Sequence, residues 1–213
     1  MPSETPDAIP KAQLHLKPLG SNEEQLPPPI LSLNGCVVRP YHPLDAESSA
    51  AQANNPNLAR YLSDGFPQPY TLDVAREWIQ RCLNEDPARN FAIVEPATNA
   101  FLGAIGMQPQ SQEHTVEIGY WLGETYWKKG IMSLVVGTFT DWVFTTRPQI
   151  MRVEATVFEG NKGSEIVLQR KGFIEDEALK KMVPKGGQLI ELHTHFLSRD
   201  EWERRKDTQL KNC

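Results

Sequence analysis

Short apolar runs separated by polar breaks fill most of this chain, and their period switches between two and about 3.6 residues. Ile30-Leu31-Ser32-Leu33 and Cys36-Val37-Val38-Arg39 are two brief runs broken by Asn34-Gly35, a dipeptide that favours a tight hairpin turn. From Pro43 to Ala53 nothing breaks a helix, and proline is tolerated in a first turn, so a helix is predicted there, ended by Asn54-Asn55-Pro56. Thr71 can accept from free first-turn amides, and Ala75, Trp78, Ile79 and Cys82 fall at i, i+3, i+4 and i+7, which predicts a second helix stopped by Asp86-Pro87. Between the two, Leu62 to Tyr70 holds two prolines and the aromatics Phe66 and Tyr70. That composition suits a loop over a substrate pocket, and it suits equally well aromatics that pin a loop to the core.

Residues 91–95, 101–107 and 115–122 read as strands of an antiparallel meander. Gly130 opens a helix whose predicted buried stripe is Ile131, Leu134, Val135, Thr138, Phe139 and Trp142. Met151 to Phe158 alternates as a strand, Lys162 to Lys171 reads as a short helix stopped at Gly172, and strands near 173–180 and 188–197 flank the turn Pro184-Lys185-Gly186-Gly187. The order predicts a mixed α/β fold with a central, mostly antiparallel sheet flanked by helices. Its 213 residues accommodate one domain with appendages. Seven of the 17 prolines lie in residues 1–30, which carry little to bury and read as a flexible tail, leaving a folded domain over 31–200 and a polar C-terminal tail over 201–213.

The formal charge of −5 supplies no positive field for nucleic acid or anionic lipid, and neither partner is expected. No apolar run approaches the ~20 residues of a membrane helix, and the N-terminus lacks the pattern of a secretory signal. Three scattered cysteines without C-x-x-C spacing indicate neither disulfides nor a thiolate zinc site, so a cytoplasmic protein, monomeric or homodimeric, is expected. His193-x-His195 places two imidazoles on one strand face, but no further ligands converge on it and no metal is expected. The glycine patterns of P-loops, dinucleotide folds and nucleophile elbows are absent.

One segment carries chemistry: Tyr120-Trp121-Leu122, a loop with Trp127-Lys128-Lys129, then Gly130-Ile131-Met132-Ser133 at a helix start. Unpaired N–H groups from about Lys129 to Ser133, the positive end of a helix dipole and a glycine without Cβ make a candidate diphosphate cradle. The plainer alternative is a turn glycine beside solvated lysines.

The segment resembles the acetyl-CoA signature of the GNAT acetyltransferases, in particular their RimJ/RimL-like branch. Glu117-Ile118-Gly119-Tyr120-Trp121-Leu122 and Trp127-Lys128-Lys129-Gly130-Ile131-Met132-Ser133 match one block. Asn161-Lys162-Gly163-Ser164 and Leu168-Gln169-Arg170-Lys171-Gly172-Phe173 match a second. The resemblance runs from about Leu31 to Arg199. It departs where Lys128 replaces the branch's usual glycine, where Met132 takes a usual small position, and where Leu168 stands in place of the family's frequent helix tyrosine.

The resemblance implies transfer of acetyl from acetyl-CoA to a primary amine by direct attack in a ternary complex, the acceptor being a protein or peptide N-terminus or a small amine. The alternative is a catalytically weak CoA-binding module of the same fold. It implies cofactor contacts at Tyr120, Trp121, Leu122, Lys128, Lys129, Gly130, Ile131, Met132, Ser133, Asn161 and Lys171, and acceptor contacts at Phe66 and Tyr70. An attacking amine must lose a proton and the departing thiolate must gain or share one, which makes Glu117 the candidate base and Ser164 the candidate donor. For each a structural role competes: a solvent-facing strand carboxylate for Glu117, a first-turn cap for Ser164 and a turn residue for Asn161.

Overall fold

The computed structural model describes residues 25–211; residues 1–24, most of the proline-rich segment, and residues 212–213, with Cys213, lie outside them. Among the described residues nine strands form one sheet: β1 (Leu31–Leu33), β2 (Cys36–Pro40), β3 (Asn90–Val94), β4 (Phe101–Pro109), β5 (Thr115–Leu122), β6 (Arg152–Phe158), β7 (Ile174–Glu175), β8 (Lys181–Lys185) and β9 (Gln188–Ser198). Their spatial order is β1-β2-β3-β4-β5-β6-β9-β7, with β8 also paired to β9. Every pairing is antiparallel except β5 with β6. The helices are α1 (Ala46–Ala53), α2 (Pro56–Ala59), α3 (Leu72–Leu83), α4 (Ile131–Thr146), α5 (Lys162–Arg170) and α6 (Arg199–Lys211). The mixed α/β architecture expected from the sequence is the one observed.

Local chemistry accounts for the element ends. Asn34-Gly35 turns β1 into β2 with Leu33 opposite Cys36, and Gly35 takes φ +83°, which a side chain would disfavour. A 3-10 turn over Pro43–Asp45 leads into α1, where buried Asp45 receives two bonds from the Arg39 guanidinium at 2.6 and 2.9 Å and one from the His42 amide at 2.8 Å. Thr71 Oγ1 accepts from the Val74 amide and opens α3.

Alternation along the strands divides the core in two. Tyr41, Ala50, Ala75, Ile79, Ala92, Val94 and Phe101 pack between the sheet and α1/α3. Val38, Ile93, Ile105, Ile118, Val135, Phe139, Val143 and Leu168 pack between the opposite face and α4/α5.

Four expectations shift. The buried stripe of α4 is Met132, Val135, Val136, Phe139, Thr140, Val143 and Phe144, with Leu134 exposed, because a helix apolar nearly all round leaves its facing to tertiary contacts. The strand expected over 173–180 is the two-residue β7 followed by a 3-10 turn over Glu177–Leu179, and pairing resumes at β8, where Pro184 sits on an edge strand that tolerates it. Pro56, expected only to end a helix, also begins α2, capped by Asn55. The polar segment after residue 200 is helical. In α6, Trp202 packs 5.1 Å from the Phe144 ring and donates to Asp141 at 2.6 Å, while Arg199 donates to the carbonyls of Phe144, Arg147 and Ile150.

The feature that places the site is a split in the sheet. β5 and β6 pair only at Thr115–Arg152, Val116–Val153 and Glu117–Glu154. Beyond Glu117, β5 stays with β4 through Leu122 and β6 stays with β9 through Phe158, so a slot opens between them.

Candidate active site

Glu117 lies at the vertex of this slot, half-buried. Thr156 Oγ1 on the β6 lip donates to its Oε1 at 2.6 Å, and Gln110 Nε2, just past β4, donates to its Oε2 at 3.2 Å. The two donors fix the carboxylate in one orientation and leave its remaining lone pairs free. The reading of Glu117 as an unengaged, solvent-facing strand residue does not describe this arrangement.

The loop after β5 is held from behind. Trp127 Nε1 donates to the Leu122 carbonyl at 2.6 Å, Tyr126 N to Gly123 O at 2.9 Å, and Glu124 accepts from Asn55 and Asn57 of the α2 turn. Those amides hold the Glu124 carboxyl below its ordinary pKa. The chain then passes through two left-handed residues, Lys128 at φ +61° and Gly130 at φ +79°, into α4. Among the described residues no side chain caps α4, and its first turn holds no acid, so the N–H groups of Ile131, Met132 and Ser133 have no intrahelical or side-chain acceptor there. A Cβ built on Gly130 meets nothing within 4 Å, and Lys128 and Lys129 are exposed beside it. The residues present therefore fit a diphosphate: free donors, the positive dipole end and two cations. Met132, a departure from the usual pattern, turns its side chain into the core and contributes only its amide.

Across the slot, Asn161 Oδ1 accepts from the Ser164 amide at 3.2 Å and caps α5, leaving its Nδ2 to other partners. Ser164 Oγ lies 2.7 Å from the Tyr120 hydroxyl, so β5 and the first turn of α5 are linked by two hydroxyls. Burial pushes the Tyr120 phenol well above its ordinary pKa, so it stays protonated. Lys171 crosses α4 at Gly137, where a Cβ would come within 2.9 Å of its side chain, about 6–9 Å along the axis from the open amides at 1.5 Å per residue. Leu122 is core, and Leu168, at the family's tyrosine position, is fully buried.

The α1/α3 face of the sheet carries, over β4 and β5, a cavity of about 460 Å³. Its walls include Tyr41, Phe66, Tyr70, Trp78 and Trp121, and its floor includes Ala104, Gly106, Gln108 and Gly119. Gly106 and Gly119 are register partners on neighbouring strands, so two adjacent floor positions lack side chains. Phe66 stacks on Tyr70 at 4.8 Å and meets Trp121 edge-on at 6.0 Å. The indole of Trp121 thus faces this cavity rather than the α4 side, and Phe66 and Tyr70 line it as well.

Sequence reasoning missed the residues that close this site from afar. Lys185, near the tip of the β8–β9 hairpin, donates to the carbonyls of Ala59 and Leu62, and Asp64 accepts from the Gly186 amide at 2.9 Å. The 56–70 segment and the 181–188 turn are therefore clasped to each other. Thr156, Gln110 and the Tyr120–Ser164 pair were also not foreseen, since partners 39 and 44 residues apart leave no local signal. His193 is engaged by Glu175 at 2.5 Å and by Glu191 at 3.4 Å, and His195 is buried, which pushes its pKa down.

The profile of the acetyltransferase (GNAT) domain family matches residues 36–174. The N-acetyltransferase p20 of Bacillus licheniformis, itself uncharacterized, is 29% identical over 163 residues, covering 74% of this chain and 89% of that protein. Among solved structures, the ribosomal-protein-S5-alanine acetyltransferase from Vibrio fischeri superposes with a TM-score of 0.68 at 21% identity, covering 81% of this chain and 97% of that one. The spermidine N-acetyltransferase from Vibrio cholerae, in complex with CoA and spermine, gives 0.66 at 17% identity, covering 80% and 99%. The chain belongs to the GNAT acetyltransferases and is an acetyl-CoA-dependent N-acetyltransferase.

Proposed function

We propose that the β5/β6 slot and the open end of α4 hold acetyl-CoA, that the amine acceptor enters from the α1/α3 face, and that Glu117 and Ser164 move the protons. The observation that carries this reading is the uncapped α4 N-terminus beside a slot with a fixed carboxylate at its vertex. Ile131, Met132 and Ser133 hold the diphosphate through their amides, Gly130 gives it room, and Lys128 and Lys129 add charge. Tyr120, Trp121 and Leu122 contribute the β5 lip through their main chain, Asn161 offers its free Nδ2, and Lys171 contacts a part of the coenzyme farther along α4. Bound acetyl-CoA supplies a thioester acyl group and a thiolate leaving group.

Glu117 takes a proton from the acceptor ammonium at a carboxylate oxygen oriented by Thr156 and Gln110. Ser164 donates its hydroxyl hydrogen toward the departing sulfur, and Tyr120, kept protonated by burial, donates to Ser164 Oγ behind it. Phe66, Tyr70 and Trp121 exclude water from the acceptor side. The acceptor is a protein N-terminal amine or a small amine, the two kinds named for the ribosomal-protein and spermidine enzymes whose fold this chain shares.

Glu117→Gln should lower kcat about 100-fold or more in a thiol-release assay while leaving CoA affinity within twofold. Ser164→Ala should lower kcat less, since Tyr120 remains. If both variants turn over at the parent rate, these assignments are wrong. If no amine releases thiol while CoA still binds, the chain is the binding module of the alternative reading.

A further inference from the structure

We propose that the acceptor is a primary amine whose apolar or aromatic body carries an anionic group, and that Arg81 receives that group. This rests on reading the α1/α3-side cavity as the acceptor site. Among the described residues the cavity lining contains six aromatic residues, no carboxylate and no lysine; its one permanently charged member is Arg81. Val74, Trp78 and Arg81 fall on one stripe of α3, and all three line the cavity. The guanidinium carbon of Arg81 lies 5.2 Å from the centroid of Trp78, so the aromatic wall itself holds the cation in place.

Among the described residues, no carboxylate oxygen lies within 4.0 Å of Arg81. Two acids lie four residues from Arg81 along the chain: Glu77, within α3, makes no ion pair with it, and Glu85 is engaged by Asn90 Nδ2 at 3.0 Å and by Arg89 at 3.8 Å. The chain as a whole is acidic at −5, so an unpaired cation over an aromatic cavity runs against the global balance. A second cationic group on the acceptor would find no carboxylate among the lining residues, and Arg81 would repel it. A planar guanidinium instead suits a carboxylate or phosphate, which it can bind by two parallel hydrogen bonds. The reacting ammonium is served separately, by Glu117 on the floor strand beyond Gly119.

Three amines that share one ring and an aminomethyl reacting group test this, with rates counted per aminomethyl group: 4-(aminomethyl)benzoate, 4-methylbenzylamine and 1,4-xylylenediamine, which carries two. In the intact chain with acetyl-CoA, kcat/KM by thiol release should be about tenfold higher for the carboxylate than for the methyl compound, and lowest for the diamine. Arg81→Gln should bring the first ratio to within twofold, and Arg81→Lys should retain part of it. Calorimetric affinities of the three amines for the CoA-loaded chain should follow the same order, which decides the matter even if turnover is too slow to read. A preference for the diamine, or a ratio unmoved by Arg81→Gln, overturns the proposal. Failure of the underlying reading shows differently, as calorimetric affinities of all three amines left unchanged by Phe66→Ala in the cavity wall.

Discussion

Helices α4 and α5 both start at the slot, one after each of the strands that part there, yet their N-termini are built in opposite ways. α5 satisfies itself: Asn161 accepts from Ser164 N, and Glu165 in the first turn faces the dipole and pairs with Lys162 at 2.9 Å. α4 has neither cap nor acid, and is entered through Lys128 and Gly130 in left-handed conformations. A missing cap costs an isolated helix about 1 kcal/mol, and α4 sustains that loss because its buried residues pack between the sheet and its neighbours while Arg199 occupies carbonyls at its far end. The difference teaches that an anion site can be recognised by what a helix start lacks when a capped helix stands beside it.

The contrast can be abolished from the α4 side. Ser133→Glu should place a carboxylate on the open amides and lower CoA affinity about 100-fold by calorimetry, while raising thermal stability slightly. Undiminished affinity would move the diphosphate elsewhere. From the other side, Asn161→Ala should remove the α5 cap and cost about 1 kcal/mol in chemical denaturation, with CoA affinity lowered no more than about threefold through loss of Nδ2. A larger loss of affinity would make Asn161 chiefly a ligand contact. The smallest effect is expected at Lys128, whose φ of +61° is costly for a side chain. Lys128→Gly should stabilise the fold by up to about 1 kcal/mol, with CoA affinity within twofold because the neighbouring amides remain.

The elements that local pattern specifies were legible beforehand: the Asn34-Gly35 hairpin, the Thr71-capped helix and the alternating strands of the meander. Strand period put Glu117 on β5, and the prolines around them put Phe66 and Tyr70 in a loop, and both placements hold. The facing of α4 was not legible, since Leu134 and Val136 are equally apolar and only the sheet decides which is buried. The 173–185 stretch misled because Pro184 signals a turn in isolation and is accommodated by an edge strand only once β9 exists to pair with it. Arg81, Lys185 and the donors to Glu117 escaped for a related reason: their meaning comes from partners that only the folded chain brings near.

Arg199 deserves a last consequence for anyone cutting this gene. The family match stops at residue 174, but β9 pairs with β6 at seven consecutive positions and Arg199 ties the end of α4. A fragment trimmed to the matched region would expose one lip of the split as a raw sheet edge and invite self-association. Similarity marks out where the chemistry is shared, and the folding unit reaches further.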